Sequence, residues 1–319
     1  MRISRRGALA GIASGFALPL LPPRAWAAGP VTLRLAAAGD DDITPILYGQ
    51  HAGLFKKAGL DVALTSLSSG SATAAAVVGG SIDIGKSSMI GLCAAHVRGV
   101  PFEVIAPASL YLESSPIAGF VVAKDANVAN VRDLNGKTVS ASSLKDLIAV
   151  ATQAWLDANG GDSKSVKFLE VPASAVPAAL EQGRIAGATL VTPALAEALD
   201  SGKAKLMGRS FSAIAKRFMV AGWFSTRDWL ARNPDVAKRF VDAFLQAAQY
   251  TDTHHAETVD LLAAYSKLKP ETIRGMVRAT VGKAVDPKDI DPVIAAGVKY
   301  GVFDRSFPAT ELIASVAPR

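Results

Sequence analysis

The sequence predicts an α/β protein of two lobes, each a mostly parallel sheet flanked by helices, joined by two hinge crossings. Three observations carry this. Strand-like and helix-like segments alternate with short connections from residue 31 onward, the pattern of parallel sheets with helical crossovers. That alternation breaks at YLESSPIAGFVVAKD, residues 111–125, where one extended segment runs into the next with no helix between, and again at RFMVAGWFSTRDWL, residues 217–230, where the chain crosses back. From Asn233-Pro234 the chain reads as helix throughout, and no internal repeat, low-complexity tract or long Pro/Gly linker intervenes.

The opening, MRISRRGALAGIASGFALPLLPPRAWAAG, has a basic start, an uncharged run over residues 7–21 and Ala25-Trp26-Ala27, which read together as a secretory signal cleaved near Ala27. Its apolar run is shorter than the roughly 20 residues that span a bilayer. Arg5-Arg6 after Ser4 suits twin-arginine or Sec export. The expected organisation is therefore 1–27 signal peptide, 28–114 plus 224–319 lobe I and 115–223 lobe II, with a periplasmic destination.

In lobe I, VTLRLAAAG reads as the first strand and TPILYGQHAGLFKKAGL as a helix with Thr44 as N-cap and Pro45 in its first turn. DVALTSL is a second strand, GSATAAAVVGG a small-residue helix and SIDIG a third strand; SMIGLCAAHVRG and FEVIAPAS complete a fourth pair. In lobe II, KTVSAS, a helix over 143–158, VKFLEV, VPAALEQGR, GATLVT, PALAEALDSG and AKLMG repeat the alternation. The return to lobe I ends in a helix whose apolar face holds Val236, Phe240, Val241, Phe244, Leu245 and Ala247.

Charge excludes two partner classes. The chain has 34 basic and 28 acidic residues, but Arg2, Arg5, Arg6 and Arg24 fall within the signal, leaving 30 against 28 and a net charge of +2. A nucleic-acid or membrane-surface role loses its electrostatic support. Cys93 is the single cysteine and has no internal disulfide partner, so stability must come from apolar cores, for which roughly 290 residues suffice in two domains.

Catalytic motifs fail on their companions. GKT at residues 136–138 lacks the glycine a phosphate loop needs five positions earlier, where Val131 stands. Ser142 and Lys145 have S-x-x-K spacing, but Lys137-Thr138 is followed by Val139 rather than glycine, and no S-D-N or G-x-S-x-G occurs. His51, His96, His254 and His255 have no metal-ligand spacing, so neither metal nor cofactor is expected.

A recurring local design remains. In parallel α/β sheets, ligands bind beyond the carboxyl ends of strands, where helix starts aim backbone N–H groups outward. Small hydroxyl residues and glycine occupy those turns here: Ser69-Gly70-Ser71, Ser87-Ser88, Ser140, Ser142 and Ser143, and Thr192 before Pro193. Each alone reads as an N-cap; four such turns on two lobes point to a shared ligand. Asp41 or Asp42 in GDDDITP caps a helix or faces that ligand, Ser115 lies at the outward crossing, and Trp223 either packs the crossing or stacks on the ligand.

The block QHAGLFKKAGLDVALTSLSSGSATAAAVVGGSIDIG resembles the N-terminal signature of periplasmic substrate-binding proteins of ABC importers, in the nitrate, sulfonate, taurine and thiamine-pyrimidine-precursor group. VRDLNGKTVSASS, ALEQGRIAGATLVTPALAEAL and FSTRDWLARNPDVAKRFVDAFLQAAQY resemble later blocks of that family in the same order. The resemblance implies a type II binding protein, with ligand contacts from residues 39–42, the turn at Ser69, Gly70 and Ser71, Ser87-Ser88, the SASS helix start and Thr192. It also implies permease and ATPase partners and a monomeric receptor that closes like a flytrap. Fungal pyrimidine synthases of the group carry a cysteine-rich segment that this chain lacks. The expected ligand is a small organic acid or sulfonate-like anion, with an aminopyrimidine as the alternative; an enzyme or a sensor on the same scaffold are the rival classes.

Overall fold

The computed structural model describes residues 29–67 and 69–319, so the signal and its cleavage point lie outside the described residues. Ten strands form two five-stranded sheets: β1 (Val31–Ala37), β2 (Leu60–Ser66), β3 (Ile84–Ser88), β4 (Phe102–Leu112), β5 (Ala118–Ala123), β6 (Thr138–Ala141), β7 (Lys167–Glu170), β8 (Gly187–Val191), β9 (Ala204–Gly208) and β10 (Arg217–Thr226). The sheet of lobe I has the order β2-β1-β3-β10-β4 and that of lobe II the order β7-β6-β8-β5-β9.

The two sheets share one plan. β1 pairs in parallel with β2 and β3, whereas β10 is antiparallel to both β3 and β4. In lobe II β6 pairs in parallel with β7 and β8, and β5 is antiparallel to β8 and β9. Four strands in each sheet thus run one way, as the sequence predicts, and the one opposed strand is the first strand after a crossing, because the chain arriving from the other lobe enters at the opposite end of the sheet.

The return crossing lies earlier than the sequence suggests. β10 sits in the lobe I sheet along its whole length, with Phe218 opposite Tyr111 and Trp223 opposite Ala106, so the chain leaves lobe II over residues 209–216 rather than near Trp223. The two crossings run side by side. The Glu113 N–H donates to the carbonyl of Lys216 at 2.8 Å, and the Tyr111 and Ser212 hydroxyls share a 2.6 Å hydrogen bond.

Local signals set the helix ends. The segment expected as one helix from Thr44 breaks at Gly53, whose φ of 69° is left-handed, into Thr44–His51 and Leu54–Lys57. Thr44 lies within the helix, and its hydroxyl donates to the Asp41 carbonyl at 2.7 Å. The lobe II helix runs Leu147–Ala158, starting four residues later than expected, because Asp146 rather than a serine is its N-cap.

Helix Pro234–Thr251 buries Phe240, Val241, Phe244 and Ala247 as its spacing predicts, with Phe240 and Phe244 stacked at 5.9 Å. Each fully buried side chain of this kind contributes about 1.5–3 kcal/mol of transfer free energy. The small residues of helix Gly70–Val78 serve close packing. A Cβ at Gly85 on β3 would lie 2.6 Å from Thr73 Cγ2 and 2.9 Å from Val77 Cγ2, so helix and strand meet at a distance only glycine allows. No described helix is long and apolar enough to cross a membrane.

Candidate functional site

The carboxyl ends of the lobe I strands are drawn together by close packing. A Cβ at Gly70 would lie 2.4 Å from Ser87 Oγ, so the Ser69-Gly70-Ser71 turn sits directly against the Ser87-Ser88 turn. Ser69 is the N-cap of Gly70–Val78: its Oγ accepts from the Ala72 N–H at 3.3 Å and shares a 2.9 Å hydrogen bond with Ser71 Oγ. Ser71 is exposed, Ser88 half-buried and Ser87 buried. The side chain of Ser88 makes no capping bond to helix Met89–Val97, although it occupies the N-cap position.

Beneath these turns lies a charged knot that sequence reasoning missed. Lys86, 3% exposed on β3, donates to the Asp42 carboxylate in an ion pair and to Asp40 Oδ2 at 3.3 Å, while Ser109 donates to Asp42 Oδ2 at 3.2 Å. Burial works against the Lys86 ammonium, but the charges of Asp42 and Asp40 outweigh it and hold the lysine above its ordinary range. Burial also pushes the Asp42 carboxyl up, and Lys86 pulls it back. A lysine inside the buried run IGKSS was the available signal: full burial of that side chain requires a partner.

Asp41 is buried and bonded within lobe I. Both of its oxygens accept from Arg278 Nε, at 2.9 and 3.0 Å, and Oδ2 also accepts the Ala279 N–H at 2.6 Å, while Thr44 Oγ1 donates to Oδ1 at 3.0 Å. Its carboxylate anchors the 278–279 segment to the loop after β1. Of the three acids, Asp40 is the one with half its side chain in solvent.

In lobe II, Ser142 and Ser143 follow β6 and Thr192 follows the neighbouring β8. The Ser142 hydroxyl donates to Asp146, which also accepts the N–H groups of Ser143 at 2.9 Å and Ala149 at 2.8 Å. Burial nevertheless pushes the Asp146 carboxyl up against those bonds. Ser142 is thus committed to the helix cap. Thr192 is 3% exposed, and its Oγ1 has no hydrogen-bond partner among the described residues, an arrangement that leaves a buried hydroxyl ready for an incoming polar group. Tyr265, whose ring lies 3.7 Å from where a Cβ of Gly39 would stand, has a buried hydroxyl beside the loop after β1 that is likewise unpartnered among the described residues.

Apolar residues beside the two sets of turns pack together at the junction of the lobes. One continuous apolar cluster contains Ala36, Met89 and Ile90 from lobe I strand ends and helix starts, together with Leu147, Val150 and Ala151 from lobe II; Leu67 and Val191, which flank the serine turns, pack against it. Helix Pro270–Gly275 packs on helix Ala194–Asp200 across the junction, and Tyr300 Oη donates to Asp157 Oδ2 at 3.2 Å. Two predicted residues lie elsewhere. Trp223 is fully buried in the lobe I sheet, with Phe240 and Phe244 at 5.9 and 5.8 Å, because β10 carries it into the core. Ser115 forms the turn between β4 and β5, its N–H donating to the Leu112 carbonyl at 2.9 Å, and bounds the hinge rather than the junction.

Residues 40–258 match the family model described as NMT1/THI5 like. Among curated proteins, none matches the sequence. Solved structures share the fold at low identity. The periplasmic aliphatic sulphonate binding protein SsuA from Escherichia coli aligns at 17% identity and a TM-score of 0.75, covering 91% of this chain and 94% of that one. The periplasmic nitrate-binding protein NrtA from Synechocystis PCC 6803 aligns at 16% and 0.73, covering 88% and 84%. The desulfurization enzyme DSZB aligns at 14% and 0.66, covering 89% and 96%.

Proposed function

This chain belongs to the NMT1/THI5-like family, and from that premise we propose that it is the exported solute-binding component of an ABC importer, holding one small organic molecule between its lobes. What supports the reading is that four small-residue turns, two from each sheet, follow strand ends whose neighbouring apolar residues share one cluster across the lobes, and that the Thr192 hydroxyl is buried and unpartnered among the described residues.

The charge arrangement supports a particular way of holding an anion. Lys86 and Arg278 are both engaged by internal carboxylates, so neither is free to clamp a ligand. An organic acid or sulfonate would instead be held by neutral donors: the N–H groups at the starts of helices Gly70–Val78 and Met89–Val97, and the hydroxyls of Ser71, Ser87, Ser88, Ser143 and Thr192. Asp40, half-exposed beside the turns, favours a ligand that also presents a hydrogen-bond donor. That SsuA is a sulphonate-binding and NrtA a nitrate-binding protein is in keeping with the anionic reading.

Binding acts by population shift. Contacts available only when both lobes engage the ligand favour the closed form by their own free energy, which must exceed the preference of the empty chain for opening. The closed form then presents both lobes to a membrane permease. The receptor reading over an enzymatic one is supported by Asp146: the acid next to Ser142 accepts three hydrogen bonds as a helix cap and is not placed as a free base. A thermal-shift screen of sulfonates, carboxylates and aminopyrimidines tests the proposal. A cognate ligand raises the Tm in proportion to the logarithm of its excess over Kd and is recovered unchanged by mass spectrometry; chemical conversion of that ligand would establish an enzyme instead.

A further inference from the structure

A groove lies in lobe II, away from the serine turns. It is an open groove of about 590 Å³ between the turn that begins at Asn130, the end of helix Leu147–Ala158 and the end of β9 with the return crossing; Asn130, Trp155, Asn159, Met207, Arg209 and Ser212 line it. That volume lies in the range of small-molecule sites, about 300–1,000 Å³.

Its walls offer donors and no carboxylate. Arg209 is partly buried and makes no ion pair or side-chain hydrogen bond among the described residues. The Asn130 carbonyl oxygen accepts the Arg132 N–H at 2.9 Å, which leaves its amide N–H₂ as the free end. The indole N–H of Trp155 likewise has no partner among the described residues. Gly208 packs against that edge and leaves only part of it open to the groove: a Cβ there would lie 2.7 Å from Trp155 Nε1, and Trp155 is 5% exposed. The backbone of Gly208 does not have a positive φ, so its lack of a side chain answers to this close approach rather than to chain conformation. Trp155 is fixed from behind by stacking on Phe120 at 4.7 Å. Met207 adds an apolar wall.

We propose that this groove is a second ligand site, separate from the junction of the lobes, that takes a small organic anion with a flat apolar body: Arg209 pairs with the acid group, and the body lies along Met207 and the Trp155 edge. The groove includes Ser212, whose hydroxyl bonds Tyr111 in lobe I, so an occupant touches the segment that joins the lobes.

Benzoate is the probe, and the Trp155 indole resonance in a ¹⁵N-labelled chain, assigned with Trp155→Phe, is the reporter. The expected result is a saturable shift of that resonance, weakened at least tenfold in affinity by Arg209→Ala and unaffected by Ser71→Phe, which crowds the other site from an exposed position. Arg209→Ala should melt within a degree or two of the parent, because the side chain holds no partner. Three results overturn the proposal: no shift at saturating benzoate, the same affinity in Arg209→Ala, or loss of the shift in Ser71→Phe.

Discussion

Replacing Lys86 with Met is the sharpest single perturbation of the lobe I site, because it removes one charge from a buried knot and leaves the chain length and shape of the side chain nearly intact. The side chains of Lys86 and Asp42 are 3% and 6% exposed, so the deletion strands a carboxylate that water cannot reach. Breaking a buried pair in this way costs about 3–5 kcal/mol, a large part of a total stability of about 5–15 kcal/mol, and lowers the Tm by roughly 6–10 °C. The pH dependence identifies the cause. Burial already pushes the Asp42 carboxyl up, and without Lys86 only the Ser109 hydrogen bond is left to favour its charged form. The folded variant then holds a proton on Asp42 that the unfolded chain gives up above its ordinary carboxylate range. Its deficit relative to the parent is smallest at low pH and grows as pH rises through that window. Calorimetric melts of parent and variant at pH 5 and pH 8 measure this, and Lys86→Met with Asp42→Leu should recover most of the loss. A deficit equal at both pH values, or a double variant no better than the single, would refute the reasoning.

Gly70→Ala places a Cβ 2.4 Å from Ser87 Oγ and 3.2 Å from Ser87 Cβ, forcing the two serine turns apart. Stability should change by about 1–2 kcal/mol, while calorimetric affinity for a ligand found in the screen falls at least tenfold; unchanged affinity would move the pocket away from these turns. Trp223→Phe should cost about 1–3 kcal/mol by urea melt, eased by removing a buried indole N–H that has no partner among the described residues, with ligand affinity untouched. Burial pushes the Cys93 thiol up to about 12, so at pH 8 the native chain should resist a thiol reagent and react only at the rate of unfolding; rapid labelling of folded protein contradicts its placement in the core.

What the sequence made legible was whatever rests on periodicity and turn chemistry. Alternation and the helix-free crossing at residues 111–125 were enough for two mostly parallel sheets, and the spacing of Phe240, Val241 and Phe244 was enough for the face that helix Pro234–Thr251 buries. The return crossing was misplaced because RFMVAGWFST reads as extended whether it joins lobes or fills a sheet; only its pairing with β3 and β4 decides. The site was legible as turns but not as partners. Asp41, Ser142 and Trp223 have the residue types of a binding site, yet Arg278, Asp146 and the Phe240–Phe244 pair claim them, and two of those three lie tens to hundreds of residues from the residue they meet... in the case of Arg278, 237 positions away. Lys86 gave the one readable hint, a charge inside a buried strand, and Tyr265 gave none, since its buried hydroxyl is defined by folding alone.

The account depends on one molecule being gripped from both sheets at once. The crystal structure of the chain with a screened ligand bound measures this most directly. It should show the intact ligand bonded to the Ser71, Ser87 or Ser88 side of lobe I and to Ser143 or Thr192 of lobe II in the same complex. A ligand seated on one lobe alone, or recovered in the density as a converted product, would contradict it.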